Sequence, residues 1–193
     1  MGFLSVLSMA HKWIAERALS GDTVIDATAG GGVDTLALAE LVGPKGRVYA
    51  FDIQPSALER TRERLVPLSE SGRMPDLRLL LQDHAGMVDA VDPDDVGKVA
   101  AIMFNLGYLP GGDQSVITQP ETTIEALQAS LTLLRAGGIV TCVLYPGHPG
   151  GEQEAAAVED WAASLPQSVG QAVIYRQLQR TAAPYVIAIE RKR

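Results

Sequence analysis

A single cysteine, Cys142, stands in the 193-residue chain, which excludes an internal disulfide and a cysteine-built metal site. It lies within IVTCVLY, where a small buried strand residue is expected rather than a nucleophile, because buried thiols are usually inert. Long apolar runs are also missing. None approaches the roughly 20 residues that span a bilayer, so no membrane association is expected. The opening MGFLSVLSMAHKWIAERAL carries His11, Lys12, Glu16 and Arg17 at helical intervals, and it lacks the basic start, clean apolar core and cleavage site of a signal peptide. An amphipathic helix within residues 1–20 and a cytoplasmic location are the expectation. Basic residues are scarce, 16 against 23 acidic, and the net charge of −7 argues against a broad surface that coats nucleic acid. A local patch stays open: Arg176, Arg180, Arg191, Lys192 and Arg193 gather near the C-terminus as a phosphate site or as a solvated strand edge. With 47% hydrophobic and 20% charged residues the composition is globular, and the length fits one domain over 1–193 with the N-terminal helix packed on it.

What is present is organised around TVIDATAGGGVDTLALAEL, Thr23 to Leu41. Val24 and Ile25 give a buried strand, Gly30, Gly31 and Gly32 a tight turn, and Leu36, Leu38 and Leu41 a helix. A dinucleotide fingerprint would need a third spaced glycine, and Val33, Asp34 and Thr35 follow instead. The turn resembles the S-adenosylmethionine loop of class I methyltransferases, with Asp26 closing the strand ahead of a small-residue G-x-G. There Asp26 is expected to face the cofactor ammonium or a water bound there.

RVYAFDI is a second buried strand, and its Asp52 falls about 20 residues beyond Gly32, the interval at which a carboxylate meets a nucleotide ribose. Two carboxylate oxygens can accept both ribose hydroxyls. Gln54 then opens a helix through Pro55 and Ser56 that continues to Leu65, and Ser69 to Pro75 reads as a polar connection. A third strand, Leu77 to Gln82, is followed by Asp83 and His84, where Asp83 would accept from the adenine amine and His84 lies at the same rim. Asp89 to Lys98 reads as an acidic exposed stretch.

The fourth strand, Val99 to Phe104, runs into NLGYLPGGD, and ligands of open α/β sheets bind beyond such strand ends. Asn105 can accept from a substrate N–H and Tyr108 can stack on a planar base, although turn chemistry alone would also use these residues. A helix over Thr118 to Leu134 leads to a fifth strand, Ile139 to Leu144, and then to YPGHPGGE, whose His148 sits at the ligand-facing edge. A helix over Gln153 to Leu165 precedes strands Val169 to Leu178 and Tyr185 to Arg191. Their connection is too short for a parallel crossover, so they form an antiparallel hairpin. The predicted fold is α/β, a Rossmann-like seven-stranded sheet of the class I methyltransferase kind, with helices on both faces and a terminal antiparallel hairpin.

DATAGGGVDTLALA, FDIQ, QDHAGM, FNLGYLPGGD, TQPETTIEAL and YPGHPGGE together make the chain similar to the MnmM/YtqB-type methyltransferases, over almost its whole length. Departures fall at Gly31 and Val33, where that family commonly has Asn and His; side-chain contacts from these two are not implied, while the turn is. The resemblance implies S-adenosylmethionine as cofactor and N-methylation of the 5-aminomethyl group of a (2-thio)uridine at the wobble position, in the anticodon loop of tRNA. It also implies cofactor contacts from Asp26, Thr28, Gly30, Gly32, Asp34 and Thr35, from Asp52 and Gln54, and from Asp83, His84 and Asn105. Asn105, Tyr108 and His148 are the expected catalytic residues. The N-terminal helix has three open roles: covering the cofactor, mediating a homodimer, or packing on the sheet.

Overall fold

The central strands of this chain are apolar on both faces, which demands cover from both sides. The computed structural model, which describes residues 2–107, 118–180 and 182–192, supplies it. β1 (Thr23–Asp26), β2 (Arg47–Asp52), β3 (Asp76–Leu81), β4 (Val99–Asn105), β5 (Leu134–Leu144), β6 (Gly170–Tyr175) and β7 (Tyr185–Arg191) form one sheet in the order β3-β2-β1-β4-β5-β7-β6. β1 to β5 run parallel, and β7 inserts antiparallel between β5 and β6. The expected α/β sheet with its terminal hairpin is therefore observed.

Alternation along the strands sorts the core into two layers. Tyr49, Phe51, Ile102 and Phe104 face α5 (Pro120–Leu133) and α6 (Gly151–Ser164), whose Leu127 and Val158 pack with them. Val24, Val48, Ala101 and Met103 face the other way, with Ile14 of α1 (Val6–Ala15), Leu38 of α2 (Val33–Val42) and Leu65 of α3 (Pro55–Glu70). Ser5 caps α1 by accepting from the Ser8 N–H at 3.1 Å, and Ala10 and Ile14 are its buried face. Through this face α1 joins the core layer of Val24, Ala101 and Met103.

Several elements differ from the sequence reading. α3 continues past Leu65 and through Pro67 to Glu70, because Leu65 and Leu68 extend its buried face. β5 begins at Leu134, which pairs with Val99 before a register shift, and not at Ile139. The acidic stretch is not simply exposed: the Asp95 carboxylate accepts from Arg47 at 2.6 Å, from the Tyr49 hydroxyl at 2.7 Å and from the Thr23 hydroxyl at 3.3 Å. It pins the lower ends of β1 and β2. The C-terminal cations are largely committed, Arg176 to Glu159, Lys192 to Glu190 and Arg191 to backbone carbonyls, while Arg193 lies outside the described residues. Cys142 is fully buried in β5, and burial pushes its thiol well above the ordinary range, consistent with an inert core residue.

Candidate active site

Register brings the ends of the parallel strands to one edge. Asp26 aligns with Ala50 and with Met103, and Asn105 with Val143, so the loops after β1, β2, β4 and β5 open on the same side. Between them lies a cleft of about 1180 Å³, large enough for a nucleoside-sized ligand together with a second molecule.

Its rear wall is the turn from β1 to α2. Gly30 and Gly32 have φ of 53° and 76°, a region side chains rarely occupy, and a Cβ on Gly32 would come within 2.7 Å of the Thr61 Cα on α3. Glycine is thus required where α3 crosses the turn. The Gly30 N–H donates to Asp52 Oδ2 at 2.9 Å, and the other oxygen of Asp52 accepts from the Gln54 N–H at 2.8 Å. On the opposite side the Asn105 N–H donates to Thr28 Oγ1 at 2.7 Å. Three strand tips are thereby tied to one loop. Thr28, Gly30, Asp34, Asp52, Gln54 and Asn105 all line the cleft.

Asp83 and His84 line it as well. Asp83 caps the short turn after β3, one oxygen accepting from the Ala85 N–H at 2.8 Å. His84 is buried edge-on against Phe104, its Nδ1 bonded to the Ala27 carbonyl at 3.2 Å, and among the described residues its Nε2 has no hydrogen-bond partner, Asp83 Oδ1 standing 4.0 Å away. Since a carbonyl only accepts, Nδ1 carries the proton and Nε2 is an acceptor. Desolvation lowers the pKa of the ring and keeps it neutral.

Three expected ligand contacts lie elsewhere. Asp26 is fully buried and does not reach the cleft, because its oxygens are used by the Thr28 N–H at 3.1 Å and the Thr35 hydroxyl at 2.5 Å. Thr35 is likewise fully buried, and Gly32 is turned toward α3; neither lines the cleft. These residues shape the loop from beneath. Burial, followed by the nearby Asp34 charge, pushes Asp26 up to about 7.

At the front, Asn105 and the loop after β5 meet. Asn105 Nδ2 donates to Asp34 Oδ2 at 3.0 Å, and the phenol of Tyr145, half-buried and raised in pKa by desolvation, lies beside the same amide. His148 also lines the cleft, its Nδ1 bonded to the Pro149 carbonyl at 2.9 Å. Its ring packs close to Gly151, where a Cβ would lie 2.2 Å from the Tyr145 carbonyl oxygen. Tyr108 lies outside the described residues.

Sequence reasoning missed several participants. Arg60 and Arg64 of α3 line the cleft, and Arg64 donates to the Gly31 carbonyl. Tyr145 opens the fifth-strand loop and was readable there. His11 is bonded through Nε2 to Asp34 Oδ1 at 2.7 Å, and nothing in its local sequence announces this. Among the described residues no cluster of three or more His, Cys, Asp or Glu could hold a metal ion. The site offers hydrogen-bond acceptors, from Asp52, Asp83, His84 and Asn105, to a ligand bearing hydroxyls and amines.

Residues 48–190 match the family described as "Putative rRNA methylase", and residues 18–70 match a methyltransferase domain. The chain is 41% identical over 184 residues to the chloroplastic tRNA (mnm(5)s(2)U34)-methyltransferase of Arabidopsis thaliana, covering 93% of this chain and 66% of that protein. It thus spans a little under two thirds of that relative. A crystal structure from Clostridium thermocellum, described as a "putative rRNA-methylase", superposes with a TM-score of 0.91 at 38% identity, covering 99% of this chain and all of the other. A Streptococcus mutans "putative methyltransferase", solved in complex with SAH, gives 0.85 at 31% identity, with 98% and 99% covered.

Proposed function

The chain belongs to the rRNA methylase family, and from that premise we propose that it is an S-adenosylmethionine-dependent N-methyltransferase acting on the 5-aminomethyl group of a wobble (2-thio)uridine in the anticodon loop of tRNA. The Arabidopsis relative is named for a product of this kind, and the Streptococcus relative is a complex with the demethylated cofactor.

The cleft fits the cofactor. Asp52 keeps lone pairs beyond those given to Gly30 and Gln54, enough for a ribose diol. The second oxygen of Asp83 and the buried, unpartnered Nε2 of His84 are acceptors suited to an exocyclic adenine amine. Gly31 borders open space, since a Cβ there would meet nothing within 4 Å, and with Gly30, Thr28 and Asp34 it lets a ligand approach the backbone. When bound, S-adenosylmethionine supplies a methyl group made electrophilic by its sulfonium sulfur.

The observation that carries the reading is the orientation of Asn105. With Nδ2 committed to Asp34, its Oδ1 is left as an acceptor at the tip of β4, where an amine N–H can be received. This holds the nitrogen in place, a positioning effect able to contribute several kcal/mol or more. A primary alkylamine is mostly protonated at neutral pH and must give up a proton before it is nucleophilic. His148, which lines the cleft, contacts the substrate or relays that proton. A wobble base lies in an unpaired loop and can enter a pocket at little unstacking cost, so an acidic protein needs only local cations such as Arg60 and Arg64 at the cleft.

The test is incubation of the purified protein with methyl-labelled S-adenosylmethionine and separated RNA pools. Label in tRNA bearing 5-aminomethyl-2-thiouridine is the expected result. Label confined to rRNA or to low-mass amines overturns the assignment.

A further inference from the structure

We infer that His11 of α1 is a positioning residue for Asn105, acting through Asp34 to fix which way the asparagine amide faces. The inference deepens the methyl-transfer reading and depends on it only for its activity readout. Asp34 lies in the first turn of α2, is 5% exposed, and divides its oxygens: Oδ1 faces His11 Nε2 at 2.7 Å and Oδ2 accepts from Asn105 Nδ2 at 3.0 Å. An ionised carboxylate only accepts, so the NH2 of Asn105 must face it and the carbonyl oxygen must face away. Released from His11, the Asp34 carboxylate can rotate about its side chain, and the amide can turn over and present N–H where the substrate amine needs an acceptor.

His11 and Asp26 are the titratable groups that bear on Asp34 from α1 and from the end of β1. Asp26 lies close enough to feel the Asp34 charge, which with burial raises the pKa of Asp26. The N-terminus of α2 and the His11 ring both lie against the Asp34 carboxylate. Groups facing His11 are Asp34 and Asp26, which act on it through their charge, and Glu40, which borders the same shallow groove between α1 and α2. All three are acids, so the imidazolium is favoured, and the bond to Asp34 raises the pKa of the ring against the effect of burial. His11 does not line the cleft, so it acts only through Asp34. Its ring, 34% exposed, remains open to protons from solvent.

The experiment follows the Asn105 side-chain NH2 signals of the 15N-labelled protein through a pH titration, assigned by their loss in Asn105→Ala, beside single-turnover methylation. In the unmodified protein these signals are expected to move with the titration of His11. His11→Gln, which retains a neutral N–H donor toward Asp34, abolishes that movement while keeping kcat within about threefold; His11→Ala lowers kcat roughly tenfold with cofactor affinity within about twofold. Asn105 signals indifferent to the His11 titration overturn the inference. So does a His11→Ala variant that loses kcat and cofactor affinity in equal measure. In a protein inactive on every RNA the methyl-transfer reading fails, and the Asn105 signals still decide the relay.

Discussion

The Asn105 backbone N–H donates to Thr28 Oγ1 over 2.7 Å, so the tip of β4 is fastened to the turn that follows β1. The loop proposed to hold the cofactor and the residue proposed to hold the acceptor are therefore one mechanical unit. Misplacing either costs the other its geometry.

Replacing Asn105 with Ala keeps this backbone bond and removes the side-chain acceptor together with the Nδ2 donor to Asp34. Single-turnover methylation is expected to fall about a hundredfold, the scale of a lost positioning contact, while cofactor affinity measured by calorimetry changes little. Equal loss of both would show that Asn105 serves the cofactor instead.

Asp52→Ala does the converse. It removes the proposed ribose acceptor and the anchor of the Gly30 N–H, and cofactor affinity should weaken by about ten- to a hundredfold, as expected for charge-assisted hydrogen bonds. Calorimetric titration with S-adenosylhomocysteine reads this directly; unchanged affinity would remove Asp52 from the site.

Gly32→Ala places a Cβ at φ 76° and 2.7 Å from the Thr61 Cα. The strained backbone and the clash together should lower stability by roughly 2–5 kcal/mol, seen as a shifted urea midpoint at constant slope. Gly31→Ala, whose Cβ would enter open space, is the control and should leave the midpoint nearly unchanged.

Asp26 gives a signed pH dependence. Its pKa rises from the model-compound value of 3.8 to about 7 on folding, chiefly through burial, so the native state holds a proton that the unfolded chain has released. The contribution of Asp26 to stability is then largest below pH 4, declines as pH rises toward 7 and levels off above it. In Asp26→Asn this slope is absent. The stability of the variant relative to the unmodified protein should therefore improve between pH 4 and 7, measured by urea unfolding at several pH values; a flat difference would contradict a raised Asp26.

The parts legible in the sequence were those governed by local periodicity and by strand ends. Val24, Ile25, Val48 and Phe51 mark strands by β-branched or aromatic character, and the acids and amide that close them, Asp52 and Asn105, reach the cleft because parallel register puts strand ends on one edge. What was not legible depends on docking between distant segments. Asp26 and Asp52 look alike as strand-closing acids, yet Thr28 and Thr35 fold back over the first and cover it. Asp95 sits in an acidic run that reads as solvated, and only the approach of Arg47 and Tyr49 makes it a structural tie. His11 occupies an amphipathic helix whose landing place on the sheet decides that it meets Asp34.

The most direct measurement is nucleoside mass spectrometry of tRNA from cells with and without the gene. The account predicts that 5-aminomethyluridine, with or without the 2-thio group, accumulates on deletion at the expense of its N-methylated form, and that the intact gene restores the balance while an Asn105→Ala copy does not. An unchanged ratio of the two nucleosides, in cells with no other route for methylating the aminomethyl precursor, would contradict it.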